Sequence, residues 1–147
     1  MGTWKSLRDR VNTVLTTLTG SGQPLYAVYN AHNYVPAGFP YATIGPSEEP
    51  SNFDTNAEHL RTYGIDIYVW CNVESTDVGE AAALDTVMDA TDLIINALDQ
   101  DTTLNGLATG GCRPTSTQIK VFDTANGTMI AAKITVKADV IYQFRSS

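Results

Sequence analysis

"RTYGIDIYVWCNV", residues 61–73, alternates along its whole length. Tyr63, Ile65, Ile67, Val69, Cys71 and Val73 fall on one side, and Thr62, Gly64, Asp66, Tyr68, Trp70 and Asn72 on the other. A period of two over such a run predicts a strand with one buried face. The second face is unusual, because Tyr68 and Trp70 are large and apolar. They call for a cover, either a packed helix or a neighbouring subunit.

On the N-terminal side, Trp4, Leu7, Val11, Val14, Leu15 and Leu18 follow a helical spacing over residues 4–18. Lys5, Arg8 and Asn12 fall on the wet side, and Gly20, Gly22 and Pro24 end the run. "LYAVYN" (25–30) and "YATIG" (41–45) read as short strands. Residues 46–59 are rich in Pro, Ser, Asn, Asp and Glu without a period, which predicts a long excursion. On the C-terminal side, Asp77 with Glu80 three residues later has the form of a capping box. The helix it opens runs to about residue 99, with Leu84, Val87, Met88, Thr91, Ile94, Ile95 and Leu98 as its core stripe. Residues 101–116 read as a Gly-rich connection. "TQIKVFD" (117–123) then leads through Ala125, Asn126 and Gly127, an Asn-Gly hairpin signal, into an alternating return strand. Together the elements predict one α+β domain spanning residues 1–147. Its sheet is mostly antiparallel, two helices pack on one face, and a long β-hairpin closes the chain.

The composition agrees with a globular domain, at 43% hydrophobic and 17% charged residues over 147 positions. Sixteen acidic residues against nine basic ones give a formal charge of −7. The bases are scattered and form no arm suited to duplex DNA. Cys71 and Cys112 make no CxxC pair and read as free, shielded thiols, with one disulfide left open. The start, "MGTWKSLRDRV", predicts no leader peptide, and no stretch has the length of a membrane span. The Met-Gly-x-x-x-Ser start and the sequon at Asn126 are both short patterns with simpler structural uses.

Catalytic signatures are lacking. Gly106, Gly110 and Gly111 precede a strand rather than a helix, so no phosphate cradle is expected. His32 and His59 fall in loops, and neither GxSxG nor HExxH occurs. The sequence therefore predicts no enzyme and no cofactor or metal. The most pointed constellation is acidic: Asp85, Asp89, Asp92 and Asp99 line one stripe of the second helix, turned away from its core side. No Lys or Arg offsets them at the fourth position on. A solvated face, a stripe facing a basic partner or an anionic channel, and a divalent-cation site are the competing readings.

The order of motifs resembles a known family. "FPYATIG", an acidic loop with Glu58, "RTYGIDIYVW", "DTVMDATDLIINALDQDTTLNG" and a closing hairpin are similar to the tail terminator (tail completion) proteins of long-tailed bacteriophages. The resemblance spans roughly residues 4–145, and its most specific parts are Arg61–Tyr63 and residues 97–106. It implies a homo-oligomeric, hexameric ring in the virion, assembled in the host bacterial cytoplasm. The ring caps the tail tube protein, ends tail growth and presents a surface to the head-tail connector protein. DNA would pass through without specific binding, and no membrane is involved. Glu48, Glu49, Asp54, Glu58, Arg61, Tyr68 and Trp70 are the candidate subunit or partner interface. Asp85, Asp89, Asp92 and Asp99 are the candidate lumen or partner stripe. A head-completion or neck connector protein is the nearest alternative; a small-molecule-binding α+β module and a hydrolase with a loop site are others.

Overall fold

In the computed structural model the described residues are 4–20, 22–31, 38, 40–47, 52–53, 58–73, 80–102, 104, 106, 111–124 and 127–143. The chain runs through α1 (Trp4–Thr16), β1 (Ala27–Tyr29), β2 (Tyr41–Pro46), β3 (Asn52–Phe53), β4 (Glu58–Asn72), α2 (Glu80–Asp99), β5 (Gly111–Thr124) and β6 (Gly127–Gln143). These form an α+β domain built on a six-stranded sheet of order β1-β2-β4-β6-β5. β3 pairs with β4 at Thr62 and Arg61, just past the point where β2 stops at Ile65. The excursion expected over 46–59 thus contains a short strand, which two residues are too few to announce by period.

β4 is the central strand and pairs along its full length with β6, from Glu58 opposite Gln143 to Asn72 opposite Met129. Its alternation decides the fold. Tyr63, Ile65, Ile67, Val69 and Cys71 are buried, as are Ile130, Ala132, Ile134, Val136, Ala138 and Val140 on the same face of β6. Both helices cover this face, and Leu7, Val11 and Leu15 of α1 join Val87, Ile94 and Leu98 of α2 in one core. All but one of the main-path pairings are antiparallel; β1 runs parallel to β2, with Ala27 opposite Tyr41. A parallel neighbour requires a connection that returns to the same end of the sheet, unlike the tight turn that suffices between antiparallel strands.

Two further differences have physical causes. The buried stripe of α2 is centred on Ala83, Val87, Ala90, Ile94 and Leu98, all fully buried. At 3.6 residues per turn this is a rotation of about 50° from the stripe the long side chains suggest. The small Ala83 and Ala90 let the helix sit close to the sheet, while Met88 turns outward. β5 begins at Gly111, earlier than the hairpin pattern implies, because Pro114 is tolerated within it. β5 is an edge strand, and its register shifts between Pro114 and Ser116. An edge with a bulge is where a strand accepts proline. After α2, Leu104 adopts a left-handed φ of 47°. That conformation is disfavoured for leucine, and the complete burial of its side chain in the core offsets the strain.

Candidate interaction surface

The outer face of the sheet, opposite the helices, divides into two halves. Register places Tyr41, Trp70, Ala131 and Lys120 in one row across it, and Thr43, Tyr68, Lys133 and Gln118 in the next. Tyr68 stacks beside Trp70 with ring centroids 5.6 Å apart, and Phe122 tilts against Trp70 at 5.7 Å. Tyr41 lies behind Trp70 at 6.4 Å, and the Trp70 Nε1–H donates to Thr43 Oγ1 at 3.1 Å. The ladder is therefore a fixed platform, not a set of independent side chains. Between the Trp70/Tyr68 wall and the Phe122/Lys120 wall the row holds only Ala131. That small floor leaves a groove of about 320 Å³, with Gln118 and Lys133 also lining it. Among the described residues, neither helix covers this groove.

The other half of the face is polar. Asp66 is buried, accepts a hydrogen bond from Thr135 Oγ1 at 3.0 Å and lies 3.6 Å from Lys133 Nζ. Asp139 accepts from Thr62 Oγ1 at 2.7 Å and from Arg113 Nη1 at 2.9 Å. Each carboxylate is thus held by a hydroxyl and a cation from neighbouring strands, which the buried Asp66 in particular requires. These pairs pin the β4–β6–β5 register alongside the groove.

The residues singled out from the sequence fall in separate places. Tyr68 and Trp70 are together in the platform. Arg61 is exposed on the helix-side face of β4, nine positions before Trp70, about 30 Å away at the rise of a strand. Glu58 starts β4; Glu48, Glu49 and Asp54 lie outside the described residues, as does the Asp77 cap. Asp85, Asp89, Asp92 and Asp99 are all exposed on α2. Among the described residues no group of three or more His, Cys, Asp or Glu is placed to hold a metal ion, and no helix is long and apolar enough to cross a membrane. Cys71 and Cys112 are free and buried. They pair with Ile130 and Ala138, eight positions apart on β6, so about 27 Å of strand separates them.

Phe122, Lys120 and Lys133 belong to the groove but escape sequence reasoning. β5 and β6 each look like an ordinary half of a hairpin, and only their register against β4 sets Lys120 and Phe122 beside Trp70. The exposed apolar residues of β5 were equally silent: Ile119 is 38% exposed and Val121 is 52% exposed, both on the helix side. A second groove, of about 390 Å³, lies at the start of α1 between Trp4, Arg8, Pro46 and Ile65. Trp4 closes one end of it, with its Nε1–H donating to the Gly64 carbonyl at 3.0 Å.

The fold and this surface define a class: an α+β domain with one helix-covered sheet face and one face bearing an aromatic groove. No known protein family matches the sequence, and no curated protein matches it. Among solved structures, the chain is similar to one from the "Virion of native gene transfer agent (GTA) particle". The two share 18% identity at a TM-score of 0.47, over 92% of this chain and 90% of that chain.

Proposed function

We propose that this chain is a structural protein of a phage-like virion and, more narrowly, a tail terminator with no catalytic step and no cofactor. In that role copies of it form a ring on the last tier of the tail tube, end tube growth and offer the surface that joins tail to head. The observation that carries the assembly part is the outer sheet face. Tyr68, Trp70 and Phe122 stand side by side there, and the edge strand β5 exposes Ile119 and Val121 on the opposite, helix-side face. A contiguous, partly exposed aromatic cluster of this kind suits protein contacts. The tail assignment rests on the motif order around Arg61–Tyr63 and residues 97–106.

The test is made in cells that produce the particle. Without this protein, heads should fill and tails should form, but the two should stay unjoined and the tubes should vary in length. Electron microscopy of complete particles should find the chain as a ring at the head-proximal end of the tube. Empty heads would transfer the assignment to head completion. A chain absent from the purified particle would overturn both readings.

A further inference from the structure

We propose that the Trp70/Lys120 groove receives the outward side of α2 from a second copy of this chain, in a head-to-tail contact. The inference rests on reading the chain as an assembly subunit, and names the contact through which it assembles. The subunit is acidic overall, with a formal charge of −7, so copies repel one another unless a local basic surface meets a local acidic one. The groove is such a basic surface. Lys120 is exposed at its rim and supplies most of that charge, while Lys133 lines it from the neighbouring strand with its Nζ 3.6 Å from the buried Asp66. Register makes these two lysines diagonal neighbours, about 7–8 Å apart at their backbones.

α2 supplies the complement. Asp85, Asp89 and Asp92 point outward along its exposed side, with neighbouring carboxylates about 5–6 Å apart at Cβ. Met88, 44% exposed, and Leu93, 43% exposed, flank the stripe on either side. The helix therefore presents acid in the middle and apolar surface at both margins. The groove presents lysines and aromatic rings around an alanine floor. A thioether such as that of Met88 packs favourably against aromatic edges. Met88 and Leu93 have no core role, which the rotation of the buried stripe toward Ala83 and Ala90 makes plain.

The two surfaces lie on opposite layers of one subunit, α2 on the helix side and the groove on the far side of the sheet. A two-fold pair that engages both surfaces at one interface is not compatible with that placement. Repetition of the contact gives a chain of copies that closes into a ring where the rotation permits.

Cysteine crosslinking of the full-length protein tests the arrangement. Lys120→Cys and Asp89→Cys both replace exposed residues, and circular dichroism checks that each variant folds. Under mild oxidation a mixture of the two variants should give a disulfide-linked dimer, while either variant alone should give none. Dimers of a single variant would mean a two-fold contact and overturn the proposal, as would a mixture that stays uncrosslinked up to the solubility limit. Charge reversal adds a second readout in sedimentation. Lys120→Glu and Asp89→Lys should each weaken association at least about tenfold, and mixing them should restore it; reversals without effect would also overturn the contact. A ring seen on tails despite failed crosslinks would refute this contact and leave the terminator reading standing. Crosslinks from a chain absent from tails would do the reverse.

Discussion

Cys112 is buried in β5 opposite Ala138 and close enough to Asp101, Arg113, Asp139 and Asp99 to feel their charges. Burial, with the acidic neighbours adding to it, pushes its thiol from 9.0 to about 12. The unfolded thiol loses its proton near pH 9, and the folded one only near 12. The stability owed to the neutral buried thiol is therefore intact below pH 9 and drains away as the pH rises toward 12. The slope is at most about 1.4 kcal/mol per pH unit. Tyr41, raised first by burial and then by the Tyr29 charge, adds a loss of the same sign above pH 10. Denaturant titrations at half-unit steps should show stability falling from about pH 9, with Cys112→Ala flattening the curve between 9 and 10. An equal slope in that variant would mean that Cys112 titrates as it does in the unfolded chain. At neutral pH both cysteines should resist alkylation until the protein unfolds, since the thiolate is the reactive form.

β5 is the element in which burial and pattern part company. It is 14 residues long, pairs only with β6 on the main path, and keeps Ile119 and Val121 exposed on the face whose partners in β6 are core. A long edge strand with exposed apolar residues invites pairing or docking by another chain. Val121→Lys should thus leave the melting temperature within about 2 °C of the parent, as for other exposed sites, while lowering self-association in light scattering. A fall of many degrees would instead place Val121 in a packed core. The same element marks what the sequence could tell. Strict alternation from Tyr63 to Cys71 made β4 legible, and the Leu7, Val11, Leu15 spacing made α1 legible. These signals arise within one element. Pro114 hid the start of β5, because a proline is readable in a strand only once that strand is known to be an edge. The parallel β1, the rotation of α2 and the pairing of Lys120 with the Trp70 row arise between elements. Tyr68 and Trp70 could be seen to need company; that Phe122 and Tyr41 supply part of it could not.

At the scale of the whole molecule the charge distribution poses one more question. The chain carries sixteen acidic and nine basic residues, yet two of the lysines flank an aromatic platform. Lysines beside stacked rings are also what a single-stranded nucleic acid binds. Magnitudes decide between these uses. Base stacking on an aromatic ring contributes about 1–3 kcal/mol per base, and the groove offers few rings. Trp70 is half-buried and engaged with Thr43, Tyr68 and Tyr41. Lys133 already leans on the buried Asp66, so part of its charge is spent within the protein. Sequence-independent affinity comes from neutralising many phosphates, and a pair of lysines on a chain of formal charge −7 neutralises few. The expected outcome is no retention of a short duplex and no quenching of tryptophan fluorescence by an oligothymidylate at about 150 mM salt. Quenching that is lost steeply as salt rises, and removed by Lys120→Glu, would make the groove a nucleic-acid site. Absence of binding alongside intact self-association keeps the groove a protein contact.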